Sequence, residues 1–381
     1  MDGRRSGTSK TAGRCRVLLV GGGTAGHVSP LLAVAEALAA LTTVELRFIG
    51  GRRGLEGDLA RTAGLPFHAT PLPSLRDPDS KLAFLLHLSL LPVAAVDALV
   101  QLIRFRPDVV LTSGSFSSLP VLFAARILRV PIYLWVGDAI PGRALSAVAG
   151  WSSGIGLTFE AAMRSMPRGR ASVTGNPVRG SLLRWTRAEG RRTLGLPEGG
   201  AVLLVTGGSQ GSERINSATF SGLSRLVRRA AVVHQTGPAQ LAKAQAHRAL
   251  LPESDRGRYQ PYGFLHEEMG AALAAADLVV GRAGSSSIAE PLAFGVPLVL
   301  VPFGAAMNAH QAANARAAVD LGAALILPES DLDGDRLVSI VTGLLDDPAR
   351  LARMVASARA AGRPSAAETI ARAVLALGGC A

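Results

Sequence analysis

Three short stretches carry most of the chemistry available to this sequence. Gly21-Gly22-Gly23-Thr24-Ala25-Gly26-His27 follows an apolar run from Val17 to Val20 and precedes an alanine- and leucine-rich helix. Gly207-Gly208-Ser209-Gln210-Gly211-Ser212 follows the apolar run from Ala201 to Thr206 and also leads into a helix. Gly281-Arg282-Ala283-Gly284-Ser285-Ser286-Ser287 closes a third apolar run and opens a helix carrying Glu290. Each is a strand, a glycine turn and a helix. Glycines let the backbone approach a ligand closely. A helix N-terminus offers unpaired N–H groups and the positive end of its dipole, so all three suit phosphate or sugar phosphate.

Side chains around these turns sharpen the expectation. Ser209, between the N–H groups of Gly208 and Gln210, can bind a diphosphate, and Ser209 or Ser212 can equally cap the helix. Arg179, after the turn Gly175-Asn176-Pro177, supplies a guanidinium to neutralise that diphosphate. Glu290, one turn into its helix, can accept two ribose hydroxyls, although an acid there also suits the dipole. Gln311 and Asn314, three apart at a helix start, can read sugar hydroxyls, and a solvated helix start is the plainer alternative. His27 stands at the mouth of the first turn, where a neutral imidazole can act as general base. The acidic run at 331–335 reads as a surface helix start, and no metal site is expected.

Gly21-x-Gly23-x-x-Gly26 also fits the dinucleotide fingerprint. That motif wants an acid at the end of the second strand, about 20 residues on. Glu45 lies inside the strand from Val44 to Ile49, which ends in Gly50-Gly51. A nicotinamide cofactor is therefore not expected, and none other is implied.

The elements that hold these residues alternate between apolar strands and helices along the chain, which implies parallel sheets covered on both faces. The chain has 381 residues, 48% of them hydrophobic, and 43 glycines. That length suits two domains. The proline turn at 175–177 marks the boundary, giving a polar basic tail over 1–14, one domain over 15–178 and a second over 179–381. The last helix, from Ser365 to Leu377, can cross back onto the first domain. The net charge of +12 favours anionic partners. No RNA-module signature accompanies it, so nucleic acid is not expected. The two cysteines, Cys15 and Cys380, sit at opposite ends of the chain. No metal cluster and no disulfide is expected of them, and this points to a reducing compartment.

One stretch stands apart. Leu82 to Ile103 is almost continuously apolar and is flanked by Arg76, Lys81, Arg104 and Arg106. His87, Pro92, Asp97 and Gln101 interrupt it, which argues against a membrane span. Two readings remain: a pair of buried helices, or an apolar patch with a basic rim that rests on a membrane surface.

Taken together and in this order, the motifs resemble the MurG family of N-acetylglucosaminyltransferases, glycosyltransferase family 28. The anchors are residues 22–27, Gly175-Asn176-Pro177-Val178-Arg179, residues 207–211, Arg282-Ala283-Gly284 through Glu290, and Asn308 through Asn314. The resemblance implies a GT-B fold, an α/β architecture of two Rossmann-like doubly wound domains facing a cleft, and metal-independent inverting transfer. It implies that UDP-GlcNAc binds the C-terminal half and a polyprenyl-linked acceptor the N-terminal half, at the cytoplasmic face of the membrane, with the segment near Leu82 to Ile103 resting on it. Carried over by motif, Glu290 holds the ribose, Leu265 meets uracil through its backbone, and Ser209 and Arg179 contact the diphosphate, with Gln210 beside them. Ser285, Ser286 and Ser287 form the third loop, and Gln311 reads the GlcNAc hydroxyls with Asn314 close by. Thr24, Ala25, Gly26 and His27 line the acceptor side.

One departure stands out. Where the family has His-Glu-Gln-Asn, this chain reads Trp135-Val136-Gly137-Asp138. Asp138 then takes the place of a sugar-contacting asparagine and becomes a second candidate base. The change leaves open a related transferase with diacylglycerol or another polyprenol as acceptor, or a non-catalytic nucleotide-sugar-binding subunit.

Overall fold

The computed structural model of the chain describes residues 14–22, 25–52, 55–71, 90–304 and 309–380. Two parallel sheets form its framework. The first contains β1 (Cys15–Val20), β2 (Val44–Gly50), β3 (Phe67–Ala69), β4 (Val109–Thr112), β5 (Ile132–Val136), β6 (Gly154–Leu157) and β7 (Ala171–Val173), in the order 3-2-1-4-5-6-7. The second contains β8 (Ala201–Thr206), β9 (Ala230–Gln235), β10 (Tyr259–Tyr262), β11 (Leu278–Gly281), β12 (Leu298–Leu300) and β13 (Ala324–Ile326), in the order 10-9-8-11-12-13. Every pairing is parallel. The fold class read from the sequence, two Rossmann-like parallel-sheet units, is the one observed.

The central strands β4, β5, β8, β11 and β12 are apolar along almost their whole length because helices cover both faces, while β2 and β10 carry Glu45, Arg47 and Gln260. Val202, Leu203, Leu204 and Val205 alternate between the two faces of β8, and all four are fully buried. The covering helices are amphipathic. In Glu213–Arg229 the buried residues Ile215, Ala218, Thr219, Leu223, Leu226 and Val227 recur every three or four positions and line one stripe.

Strand order reverses between β1 and β4, and again between β8 and β11. Ligand crevices open at such switch points, beyond the carboxyl ends of the strands. All three glycine-containing turns lie there, after β1, β8 and β11.

The chain passes between the sheets twice. The first passage runs through 174–179, and the second follows the helix Pro348–Ala361. The two touch: a Cβ on Gly175 (φ 89°) would lie 2.5 Å from Cβ of Arg363. The final helix, Ala366–Leu377, packs on the helix Ala25–Leu41 of the first sheet, burying Ile370, Ala371, Val374 and Leu375.

This return overturns the expectation of unpaired cysteines. Cys15 and Cys380, 365 residues apart in sequence, form a disulfide. The last helix brings the C-terminus to the start of β1, a proximity that local spacing does not reveal.

Among the described residues no helix is long and apolar enough to cross a membrane. Residues 82–89 of the apolar stretch lie outside the described residues. The remainder forms the helix Leu91–Phe105, which buries Ala94, Ala98, Leu102 and Phe105. Val93, Val96, Val100 and Ile103 point outward, with Val96 64% exposed. This helix is thus apolar on its outer face too.

Candidate active site

At the first switch point the backbone runs very close to its neighbours. A Cβ on Gly21 would stand 2.6 Å from Leu31 Cδ1, and one on Gly22 would stand 2.7 Å from Glu56 Oε1. A side chain at either position would push the Leu31 or the Glu56 side chain aside. Glu56 is fully buried; its Oε1 accepts the Gly51 N–H at 2.9 Å, while Oε2 has no hydrogen-bond partner among the described residues. Across the crevice, after β4, Ser115 Oγ lies 2.9 Å from Ser117 Oγ and 2.7 Å from Ser118 Oγ. His27 is half-buried in the first turn of the helix Ala25–Leu41, and Gly26 beside it is exposed. Thr24 and the Ala25 side chain lie outside the described residues.

The second turn is interlocked with the end of β9. A Cβ on Gly211 (φ 78°) would stand 2.0 Å from the Thr236 carbonyl oxygen. One on Gly237 (φ 84°) would stand 2.2 Å from that of Gln210. Ser212 caps the helix Glu213–Arg229, accepting the Ile215 N–H. The cap is therefore Ser212, and Ser209 and Gln210 project into solvent at the turn. Behind them Gln235 is buried. Its Nε2 donates to Thr206 Oγ1 at 3.2 Å and to the Gly208 carbonyl at 3.0 Å, and its Oε1 accepts the Leu265 N–H at 2.9 Å. The Leu265 N–H is thus taken within the protein, which leaves the carbonyl as its backbone group for a ligand.

The third turn starts the helix Ser285–Ala293, with Ser285, Ser286 and Ser287 half-buried at its open end. Glu290 keeps part of its surface on the cleft. The crowding around its carboxyl strips it of water and pushes its pKa up to about 7, against the pull of Arg179. Arg179 also acts on Glu36 of the helix Ala25–Leu41, whose pKa is raised by burial and drawn down by Arg179 and by the Gly180 N–H. One exposed guanidinium therefore stands between a carboxylate of each lobe.

The lobes meet at Asp138. Asn314, fully buried in the helix Ala309–Asp320, donates through Nδ2 to Asp138 Oδ1 at 2.9 Å and to the Ala283 carbonyl at 3.1 Å. Its Oδ1 accepts the Ala139 N–H at 2.8 Å. One turn earlier His310 Nδ1 lies 2.8 Å from the Ile140 carbonyl oxygen. Asn314 was expected to read sugar hydroxyls, but both its donors and its acceptor are engaged in tying the 138–140 loop to the turn after β11. Gln311 remains at the cleft, with Oε1 accepting the Phe303 N–H at 3.1 Å and Nε2 without an acceptor among the described residues.

The comparisons with known proteins bear on this arrangement. Residues 17–153 match the glycosyltransferase family 28 N-terminal domain, and residues 202–370 match the family 28 C-terminal domain. A relative from Moorella thermoacetica is 38% identical, over 94% of this chain and 98% of its own length. Another from Desulforudis audaxviator is 36% identical, over 93% of this chain and 96% of its own. Both are named UDP-N-acetylglucosamine--N-acetylmuramyl-(pentapeptide) pyrophosphoryl-undecaprenol N-acetylglucosamine transferase. The chain belongs to glycosyltransferase family 28. The crystal structure of Acinetobacter baumannii MurG shares its fold, with a TM-score of 0.74 at 24% identity, covering 95% of this chain and 99% of that one.

Within family 28 the altered loop has a structural reason. Trp135 is buried in the core, where its Nε1 donates to the Gly175 carbonyl at 3.2 Å, and Val136 packs in the apolar layer on the opposite face of the sheet. Two polar positions of the family motif thus serve packing here, and Asp138 alone keeps a polar side chain at the cleft. Two further residues organise the turns after β8 and β11 although the sequence assigned neither of them a role. Gln235 is one. Arg282 is the other: it donates to Ser212 Oγ at 2.7 Å and to Glu329 Oε1 at 2.6 Å, and lies 5.0 Å from the centre of the Phe303 ring. Its position directly after β11 was the available signal.

Proposed function

We propose that the chain transfers N-acetylglucosamine from UDP-N-acetylglucosamine to undecaprenyl-pyrophosphoryl-N-acetylmuramoyl-pentapeptide. The observation that carries this reading is Glu290, a water-stripped carboxylate at a helix start with Arg179 nearby. A carboxylate held dry, with a cation beside it, suits a ligand bearing vicinal hydroxyls next to a diphosphate.

In this reading residues 179–381 hold the donor. Glu290 accepts the two ribose hydroxyls, and the Leu265 carbonyl meets uracil. Ser209, Gln210, the open helix ends with Ser285, Ser286 and Ser287, and Arg179 stabilise the diphosphate as it leaves. Gln311 reads the sugar through its Nε2. Residues 15–178 hold the acceptor, with Thr24, Ala25 and Gly26 lining its side of the cleft. His27 takes the proton of the attacking hydroxyl while that oxygen bonds to the anomeric carbon and UDP departs with the bonding pair, inverting the centre. Asp138 positions the two lobes.

The outward valines of the helix Leu91–Phe105 continue into Phe123, Ile127 and Leu128 of the neighbouring helix Leu119–Ile127 and its end, all exposed. Patches of this kind mark interaction surfaces. We assign this one to the cytoplasmic face of the membrane, where a polyprenyl acceptor resides.

The test is UDP release with donor and a polyprenyl-pyrophosphoryl-N-acetylmuramoyl-pentapeptide analogue. Turnover that depends on this acceptor is expected. Turnover with diacylglycerol in its place, or none with either, would overturn the reading.

A further inference from the structure

The return of the last helix gathers more than two cysteines. The Sγ atoms of Cys15 and Cys380 and a carboxylate oxygen of Asp108 all lie within 4.8 Å of one another. A different part of the backbone fixes each of them. Cys15 opens β1, where Val44 of β2 is its ladder partner. Asp108 stands just before β4: its N–H donates to the Arg16 carbonyl at 2.8 Å, and its Oδ2 accepts the Arg16 N–H at 2.9 Å. Cys380 ends the turn that closes the helix Ala366–Leu377. There the Gly379 N–H donates to the Ala376 carbonyl at 3.2 Å and the Cys380 N–H to the Leu375 carbonyl at 2.9 Å, with Gly379 in the left-handed region at φ 66°. This pair of bonds is a helix ending that favours glycine, and it reverses the chain so that Cys380 meets β1. The fit is close: a Cβ on Gly378 would stand 3.2 Å from Cys380 Sγ and from Val109 Cγ1, and 3.6 Å from Asp108 Cβ.

The disulfide joins the two sulfurs and does not draw on Asp108. Once it is reduced, two thiols and a carboxylate remain together on a framework held by the sheet ladder and the helix ending. Thiolate is the ligand that selects zinc among common divalent ions, and a carboxylate is an ordinary companion to it. On tetrahedral zinc, with bonds of about 2.3 Å to sulfur and about 2.1 Å to oxygen, two sulfurs stand about 3.8 Å apart and a sulfur and an oxygen about 3.6 Å. Both separations fall within the 4.8 Å that contains the three atoms. An ionised carboxylate has about four lone-pair sites, so the bond from Arg16 leaves Asp108 able to ligate. Cys15 is buried, whereas Asp108 and Cys380 are half-buried, which leaves one side for a water as the fourth ligand.

We propose that the reduced protein binds one zinc ion through Cys15, Asp108 and Cys380, and that this ion and the disulfide are alternative closures of the same joint. Reduction by a phosphine supplies the thiols: the phosphine takes the oxygen of one water and becomes its oxide, and the two sulfurs take the hydrogens. Each thiol then releases its proton as the sulfur bonds to zinc. In both closed states the C-terminal helix is tied to the start of β1, and the reduced joint without metal is open.

Cobalt(II) is the probe, because thiolate ligands give it near-ultraviolet charge-transfer bands and a tetrahedral site gives it intense visible bands. The full chain is reduced with the phosphine, desalted, stripped with a chelator and titrated with cobalt under argon. The expected result is one cobalt per chain with both sets of bands, displaced by zinc, and no such bands in the unreduced protein. C15S/C380S loses the bands. D108N keeps an acceptor for the Arg16 N–H and retains the charge-transfer bands, but binds cobalt at least about tenfold more weakly. Zinc raises the Tm that reduction alone lowers, and leaves the Tm of C15S/C380S unchanged. Circular dichroism and a Tm of C15S/C380S equal to those of the reduced, metal-free wild type show an intact fold. Absence of charge-transfer bands from the reduced wild type would overturn the proposal, and so would bands that persist in C15S/C380S. Undiminished cobalt affinity in D108N would remove Asp108 from the ligands and overturn the three-ligand site.

Discussion

Asn314 Nδ2 donates to Asp138 Oδ1 at 2.9 Å, joining side chains 176 positions apart in the sequence and on opposite lobes. Asn314 also holds the Ala139 N–H and the Ala283 carbonyl, so one buried amide ties the 138–140 loop to the turn after β11. Asp138 therefore serves as a fixed strut. D138N keeps an acceptor for Asn314 and is expected to retain kcat within about fivefold, a loss of about 1 kcal/mol. N314A strands the Ala139 N–H and is expected to lower stability by about 1–3 kcal/mol. H27A is expected to lose about 10²- to 10⁴-fold in kcat. Steady-state kinetics of the three variants checks this. A D138N loss as deep as that of H27A would make Asp138 the base instead.

Glu290 brings a pH dependence with a definite direction. Its carboxyl titrates near 7 in the free protein. Binding of a diol favours the ionised form, so the apparent KM for UDP-N-acetylglucosamine should rise toward about tenfold per pH unit below 7, as the carboxyl takes up its proton. The folded pKa lies above the ordinary 4.5, so the folded state binds the proton more tightly, and stability falls as pH rises from 4.5 to about 7. E290Q should then raise Tm at pH 8 while weakening donor binding. A pH-independent donor KM in the wild type would contradict this.

His234 works the other way. It is buried on β9 with Nδ1 2.9 Å from Tyr259 Oη and Nε2 3.0 Å from Asn216 Oδ1, and burial lowers its pKa to about 3. The folded state refuses a proton that the unfolded chain accepts. Stability should fall below pH 6.5, by up to about 1.4 kcal/mol per unit, until pH approaches 3. Thermal melts of wild type and H234Q across pH 4–7 test it, since the variant lacks this slope.

Reduction of Cys15–Cys380 releases a closure that spans nearly the whole chain. The entropic gain from so long a loop is at most on the order of 5 kcal/mol. Dithiothreitol should lower Tm, leave low-temperature turnover unchanged, and have no effect on C15S/C380S. A reductant effect that persists in the double variant would place its origin elsewhere.

Much of the architecture was legible because buried parallel strands must be apolar throughout. Ala201 to Thr206 could hardly be anything else, and the turns after such strands fall at crevices by topology. Glu290 was legible for the same reason, since its distance from the turn sets its depth in the helix. What stayed hidden depended on who meets whom. Nothing near Asn314 says that its partner is Asp138, and nothing near Cys15 points to Cys380. Gln235 ends an apolar strand like any polar residue at a strand end, and only the fold shows the turn after β8 and the segment after β10 gathered on its amide. In residues 91–105 apolar side chains lie on both faces, so periodicity could not tell the inner face from the outer.

The contact of Gly175 with Arg363 has a mechanical consequence. A single connecting segment would let one lobe swivel freely against the other. Two passages side by side act as a pair of hinge pins: they leave one easy rotation, about the line that joins them, and resist twisting. The clamp at Asp138 and Asn314 is a separate tie between the lobes, so any rotation that parts them must first break it.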